Sequence, residues 1–257
     1  AMLWQTSPAA TEVEIRVIDW LRQACGLDEG WSGSIQTTAS EASLSALLMA
    51  RERVSDYQVN ERGFHNERTL RVYVSQEAHS SIEKGAKIAG YGVENIVKVP
   101  AAAQFSMDVE ALKARIAEDR AAGHTPACVI ATLGTTGTGG IDPLKDIAAH
   151  CKTENIFLHV DAAWAGSALL LPEWQWMAEG AKGADSLVFN PHKWLMTNFD
   201  CSVHFVRDKD ALIKTFSILP EYLKGSTNVP VTDFRDWGVP LGRRFRALKL
   251  WFVIRSY

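Results

Sequence analysis

Cysteine is scarce in this chain: Cys25, Cys128, Cys151 and Cys201 are the four in 257 residues. They form no Cys-x-x-Cys pair and no Cys/His ligand spacing. A disulfide framework and a structural zinc site are excluded as organising principles, and no metal is expected. Reduced, mostly buried thiols are the remaining use. An excess of one charge is also missing. Lys and Arg number 27 against 30 Asp and Glu, a net charge of −3. That balance gives no electrostatic footprint for nucleic acid, and no basic run marks an anionic membrane surface. No apolar stretch approaches the ~18 residues of a membrane span. The first residues lack a basic region followed by an apolar one, so no signal peptide is visible and a cytoplasmic location is the default expectation. The glycines do not form Gly-x-Gly-x-x-Gly or a Walker pattern, which leaves a dinucleotide or P-loop site with little support.

What is present is a globular composition, 47% hydrophobic and 22% charged, sufficient for a sizeable core. Periodicity predicts helices over 11–25, 40–53, 80–89, 107–122, 143–152 and 243–257. Thr11 is expected to cap the first of these, with Glu14 as its capping-box partner. Strands are predicted over 71–75, 95–99, 127–133, 156–160, 186–189 and 201–206. Strands alternating with helices imply an α/β fold: a mostly parallel central sheet covered by helices on both faces. The chain begins at Ala1, and the apolar pattern of 243–257 ends without a Gly or Asn cap. It therefore reads as a fragment of a longer protein.

In open α/β sheets, ligands bind beyond the carboxyl ends of the strands. Three polar features fall there. Asp161 ends the apolar run Leu-His-Val-Asp, and a buried carboxylate calls for a cationic partner such as a protonated pyridine nitrogen. It would serve equally as the N-cap of the following segment. Lys193 sits in the turn Asn-Pro-His-Lys-Trp (190–194), where partial burial would free its amine for Schiff-base chemistry. Alone, it is equally compatible with an ordinary loop lysine. The third feature is the turn from Gly134 to Gly140. Elsewhere, Thr38-Ala39-Ser40 precedes a helix, and small residues at a helix N-terminus suit a phosphate, though a plain cap is the commoner use. His79 lies between a strand and a helix, where its ring could stack on an aromatic cofactor or simply be structural. His65, His124, His150, His159 and His204 carry no ligand spacing and read as structural or exposed.

Phosphate seat, stacking His, Asp and Lys in this order make a specific combination. The chain resembles the group II pyridoxal-phosphate (PLP) decarboxylases, in particular the aromatic L-amino-acid decarboxylase branch. The resemblance rests on residues 6–12, 36–44, 76–83, 131–136, 158–167, 190–194, 198–202 and 240–252. Its most specific element is Asn-Pro-His-Lys-Trp with the upstream His-Val-Asp-Ala-Ala. It implies a fold-type-I large domain over residues 1–257, without the family's N-terminal segment and C-terminal small domain. It implies pyridoxal 5′-phosphate as cofactor, bound to Lys193 as a Schiff base. Asp161 would pair with the pyridine nitrogen and His79 would stack on the ring. Ala39 and Ser40 would hold the phosphate with Asn190 and His192, while Thr136 and Ala163 line the ring site. The resemblance further implies a homodimer in which the loop bearing Tyr222 serves the neighbouring subunit's site. There Tyr222, helped by His192, would protonate the carbanion. Aldehyde-forming branches typically carry Phe in place of Tyr222, and some carry Asn in place of His79. The implied reaction is decarboxylation of an aromatic L-amino acid to its amine. A related enzyme for an acidic substrate (glutamate or cysteine sulfinate) and an inactive truncated PLP-fold protein are the alternatives. Trp164 departs from the Tyr, Phe or Leu common among relatives. It either narrows the substrate pocket or packs into the core.

Overall fold

A computed structural model of the chain describes residues 3–64, 68–218 and 231–256. Within them the strands are β1 (Ser32–Gln36), β2 (Leu70–Ser75), β3 (Ile96–Val99), β4 (Thr125–Thr132), β5 (Phe157–Asp161), β6 (Ser186–Phe189) and β7 (Ser202–Val206). They form one sheet in the order β1-β7-β6-β5-β4-β2-β3. The run from β6 to β3 is parallel, whereas β7 is antiparallel to both β6 and β1. The five residues of β5 and the four of β6 are all buried, the pattern of strands covered on both faces.

The helices are α1 (Pro8–Ala24), α2 (Ala39–Ser55), α3 (Gln58–Arg62), α4 (Ser80–Ile88), α5 (Val109–Ala121), α6 (Leu144–Glu154), α7 (Lys209–Phe216) and α8 (Arg246–Ser256). Two hydrophobic clusters divide the sheet residue by residue. Tyr73, Val129, Ala131, Leu158 and Val160 pack toward α1, α5, α6 and α8, with Val17, Leu21, Leu112, Ile147 and Leu250 among their neighbours. Val72, Val74, Cys128 and Ile130 pack on the other face with Leu47 and Ala50 of α2, Ile82 of α4 and Leu212 of α7. The period-2 alternation of the strands thus builds a three-layer α/β fold. All four cysteines are buried and unpaired. Burial raises Cys25, Cys151 and Cys201 to about 12, which keeps them as inert thiols.

Three local expectations need correction. α1 begins one turn early, at Pro8, whose fixed φ suits the first helical position. Thr11 is then inside the helix, and its hydroxyl donates back to the Ser7 carbonyl. Glu14 is no capping-box partner. It is buried, accepts the Ile35 N–H and pairs with Arg243 at 2.5 Å. At the other end of the sequence, α8 starts at Arg246, because Arg243 is engaged with Glu14 and the Ile35 carbonyl. The strand β1 has a polar, glycine-containing sequence, Ser-Gly-Ser-Ile-Gln, that carries little strand signal. Gly33 is required there: a Cβ would stand 2.6 Å from the Phe205 ring of the neighbouring β7.

Candidate active site

The carboxyl ends of β4, β5 and β6 converge on a cavity of about 240 Å³. Each element delivers its residue for a local reason. α2 starts where Thr38 is extended and gives no side-chain cap; the Glu41 N–H turns back to the Thr38 carbonyl, which leaves the Ala39 and Ser40 N–H groups without a partner among the described residues. Ala39 and Ser40, the first helical residues, line the cavity. Asp161 is the last residue of β5 and also lines it. Its Oδ1 accepts the Ala163 N–H at 3.0 Å. This contact closes a local turn and is not the helix N-cap read as the alternative, because no helix begins there: the next helical turn, Gly166–Leu170, opens after Ala165. Burial pushes the Asp161 carboxyl above its ordinary range, while the Ala163 N–H and the charges of Lys193 and His79 oppose that shift. Asp161 is thus a desolvated carboxylate that gains from a nearby cation.

Lys193 follows β6 in a turn closed by its own N–H on the Asn190 carbonyl, 2.9 Å. Half-burial lowers its pKa, and Asp161 works against that fall. Both effects bear on the reactivity of the amine: desolvation favours the neutral nucleophile, and the carboxylate restrains the loss of charge. Asn190 is buried, and its Oδ1 accepts the Ser202 hydroxyl at 2.7 Å, which fixes its side chain at the cavity wall. His79 caps α4. Its Nδ1 accepts the Ser81 N–H at 3.2 Å and lies 2.8 Å from the Ser81 hydroxyl. In its neutral form the ring therefore carries its proton on Nε2.

The cavity brings together Ala39, Ser40, His79, Thr136, Asp161, Ala163, Asn190 and Lys193. It does not include His192. That ring lies against Phe199, centroids 4.6 Å apart, and its Nδ1 accepts the Cys201 N–H. Burial, then the Lys193 charge, lowers the His192 pKa. Tyr222 lies outside the described residues. Trp164 lines the cavity, meets Trp194 edge-on at 5.4 Å and sits 5.8 Å from the Lys193 Nζ. It remains 39% exposed, so it is a wall of the site and not core packing. Gly134 makes room behind it: φ is +82°, and a Cβ would lie 2.6 Å from that of Ala165.

Sequence reasoning missed Ser81 and Thr132. Ser81 stands two residues after His79 and bonds it. Thr132 is the last residue of β4, and its buried hydroxyl has no partner among the described residues. The rule that sites lie at strand carboxyl ends would have found Thr132. Among the described residues, no group of three His, Cys, Asp or Glu is placed to hold a metal ion, and no helix is long and apolar enough to cross a membrane.

The model of the pyridoxal-dependent decarboxylase conserved domain matches residues 1–257, the whole chain. The chain belongs to the pyridoxal-dependent decarboxylase family. Its cofactor is accordingly pyridoxal 5′-phosphate, and the donor set fits: an uncapped helix N-terminus for an anion, a buried carboxylate for a cation and a half-buried amine share one cavity. The chain is 43% identical to mouse (Mus musculus) histidine decarboxylase, over 99% of this chain and 40% of that protein. It is 42% identical to tryptophan decarboxylase 2 of Oryza sativa subsp. japonica, over 99% of this chain and 52% of that protein. The solved structure of Catharanthus roseus tryptophan decarboxylase in complex with L-tryptophan superposes with a TM-score of 0.91 at 36% identity, covering 100% of this chain and 55% of that one. The chain thus spans about half the length of the relatives it matches. Family membership fixes the α/β fold type I and the cofactor. The relatives' substrates differ, so membership leaves the amino acid open.

Proposed function

We propose that the protein decarboxylates an L-amino acid with an aromatic side chain, releasing the amine and carbon dioxide. The observation that carries this reading is the shared cavity of Lys193 and the buried Asp161, walled by Trp164. When bound, the cofactor supplies an electron sink for the pair released as the carboxylate bond breaks. Lys193 Nζ is the amine that tethers it. Asp161 holds a proton at the pyridine nitrogen, the role its desolvated carboxylate suits. Ala39 and Ser40 present the α2 N-terminus to the phosphate, whose charge the helix dipole favours. Asn190 is the buried polar neighbour on the β6 side. His79 offers a flat ring fixed at its Nδ1 edge, with Thr136 and Ala163 lining the ring site. Tyr222 is assigned delivery of the proton to the substrate carbon; His192, whose ring lies outside the cavity lining, is assigned to support it rather than to touch the substrate. The Nδ1 of His192 is occupied by the Cys201 N–H, so Nε2 is the atom available for that task. Residues 1–257 are the large catalytic domain in this reading, acting in a homodimer.

An aromatic side chain is favoured over an acidic one by charge. Among the described residues, the cavity lining holds no arginine and no lysine besides Lys193. The test is incubation of the full-length protein and PLP with a panel of aromatic, imidazole and acidic amino acids, scoring amine and carbon dioxide. Release from an aromatic substrate is expected. Turnover confined to glutamate or cysteine sulfinate would overturn the side-chain assignment, and no turnover with any amino acid would overturn the activity.

A further inference from the structure

Beneath the cavity runs a chain of three buried polar side chains. The Ser43 hydroxyl lies 3.1 Å from His159 Nε2, and His159 Nδ1 lies 2.7 Å from the Ser186 hydroxyl. All three residues are essentially inaccessible to solvent. Their placement gives the chain a purpose beyond satisfying polar atoms. Ser43 is one turn inside α2 from Ala39 and Ser40. His159 is two residues before Asp161 on β5 and therefore shares its face. Ser186 opens β6, pairs with His159 in the sheet, and β6 leads directly to Asn190 and Lys193. One imidazole thus ties together the three elements that deliver the anion seat, the buried carboxylate and the amine.

We propose that His159 is a positioning residue, holding α2 against β5 and β6 so that Ala39–Ser40, Asp161 and Lys193 keep the spacing the cofactor requires. This rests on the assignment of the cavity to pyridoxal phosphate. The chemistry of the ring supports it. Burial, then the neighbouring His204, holds the His159 pKa well below its ordinary value. A neutral imidazole has one donor and one acceptor, so one serine accepts and the other donates. Both bonds are needed to fill the ring, and an unfilled buried nitrogen is costly. A hydrophobic replacement of the same shape would fill the space but give up both polar links between α2, β5 and β6.

The test uses the full-length protein carrying Ser43→Ala, Ser186→Ala or both, which remove one bond each while sparing the ring. Ser43→Thr, which keeps the hydroxyl, is the control. The PLP dissociation constant is read from the visible absorbance of bound cofactor, and thermal unfolding is followed without cofactor. Each alanine variant should weaken PLP binding about fivefold, the equivalent of one hydrogen bond. The double variant should lose less than the product of the two, as members of one network do. Ser43→Thr should restore wild-type binding. PLP affinities within twofold of wild type in both alanine variants, even with lowered melting temperatures, would reduce the chain to packing and overturn the proposal. Failure of the wild-type protein to bind PLP at all would overturn the cofactor assignment together with it.

Discussion

Asp161 ends a strand whose five residues are all buried, and its carboxylate is charged at a cost that only a cation repays. Asp161→Asn removes the charge and keeps the shape. A charge-assisted hydrogen bond contributes about 1.5–3 kcal/mol, so PLP affinity should fall roughly 10- to 100-fold. A titration followed by visible absorbance checks this, and an unchanged affinity would move the ring partner elsewhere. At this scale the sequence was informative. Asp161, Lys193 and His79 follow from strand ends, turn chemistry and motif order, and all three line one cavity. His192 shows the limit. It adjoins Lys193 in sequence, yet the turn directs its ring to Phe199 and the Cys201 N–H. Neighbours along a turn point in different directions, and no spacing rule resolves them. Trp164 shows the same limit from the other side, since wall and core differ only in what lies opposite the ring.

Elements were legible where periodicity was apolar and obscure where it was polar. β2, β4, β5 and β6 were found within a few residues because their buried faces are continuous. β1 was not, because its sequence is Ser-Gly-Ser-Ile-Gln and it is held by pairing with β7 and by the fit of Gly33 onto Phe205. α1 was placed too late because its inward face carries Thr11 and Glu14, polar residues that look like caps in sequence. Glu14 is buried because two partners distant in sequence reach it, the Ile35 N–H and Arg243, the latter as an ion pair. That pair joins α1, β1 and the segment leading into α8, and Arg243 also lies over the Phe234 ring at 4.7 Å. Breaking a buried pair leaves an uncompensated charge. Arg243→Ala should therefore cost about 3–5 kcal/mol of stability, measured by denaturant unfolding. A loss below ~1 kcal/mol would place the pair with ordinary surface bridges.

At the scale of the whole molecule, the buried face between α2 and the sheet makes stability depend on pH. His204 is fully buried, its two ring nitrogens have no partner among the described residues, and the His159 ring stands edge-on at 6.3 Å. Burial lowers its pKa from 6.5 to about 4. The unfolded chain therefore binds a proton that the folded chain refuses. The stabilisation is complete above pH 6.5 and is lost as pH falls toward 4. Asp142 acts in the opposite sense, since burial raises its folded pKa to about 6, so comparison with a variant isolates the histidine. Between pH 7 and pH 5, wild type should lose about 2 kcal/mol more stability than His204→Leu. Equal losses in urea unfolding would show that His204 is not desolvated as the fold requires.

In the proposed site, PLP is tethered by Lys193. The most direct measurement is borohydride reduction of the full-length protein with bound PLP, followed by peptide mass mapping. A stoichiometric pyridoxyl adduct is expected on the peptide carrying Lys193, abolished by Lys193→Ala. An adduct on another lysine, or one that survives that substitution, would contradict that tether.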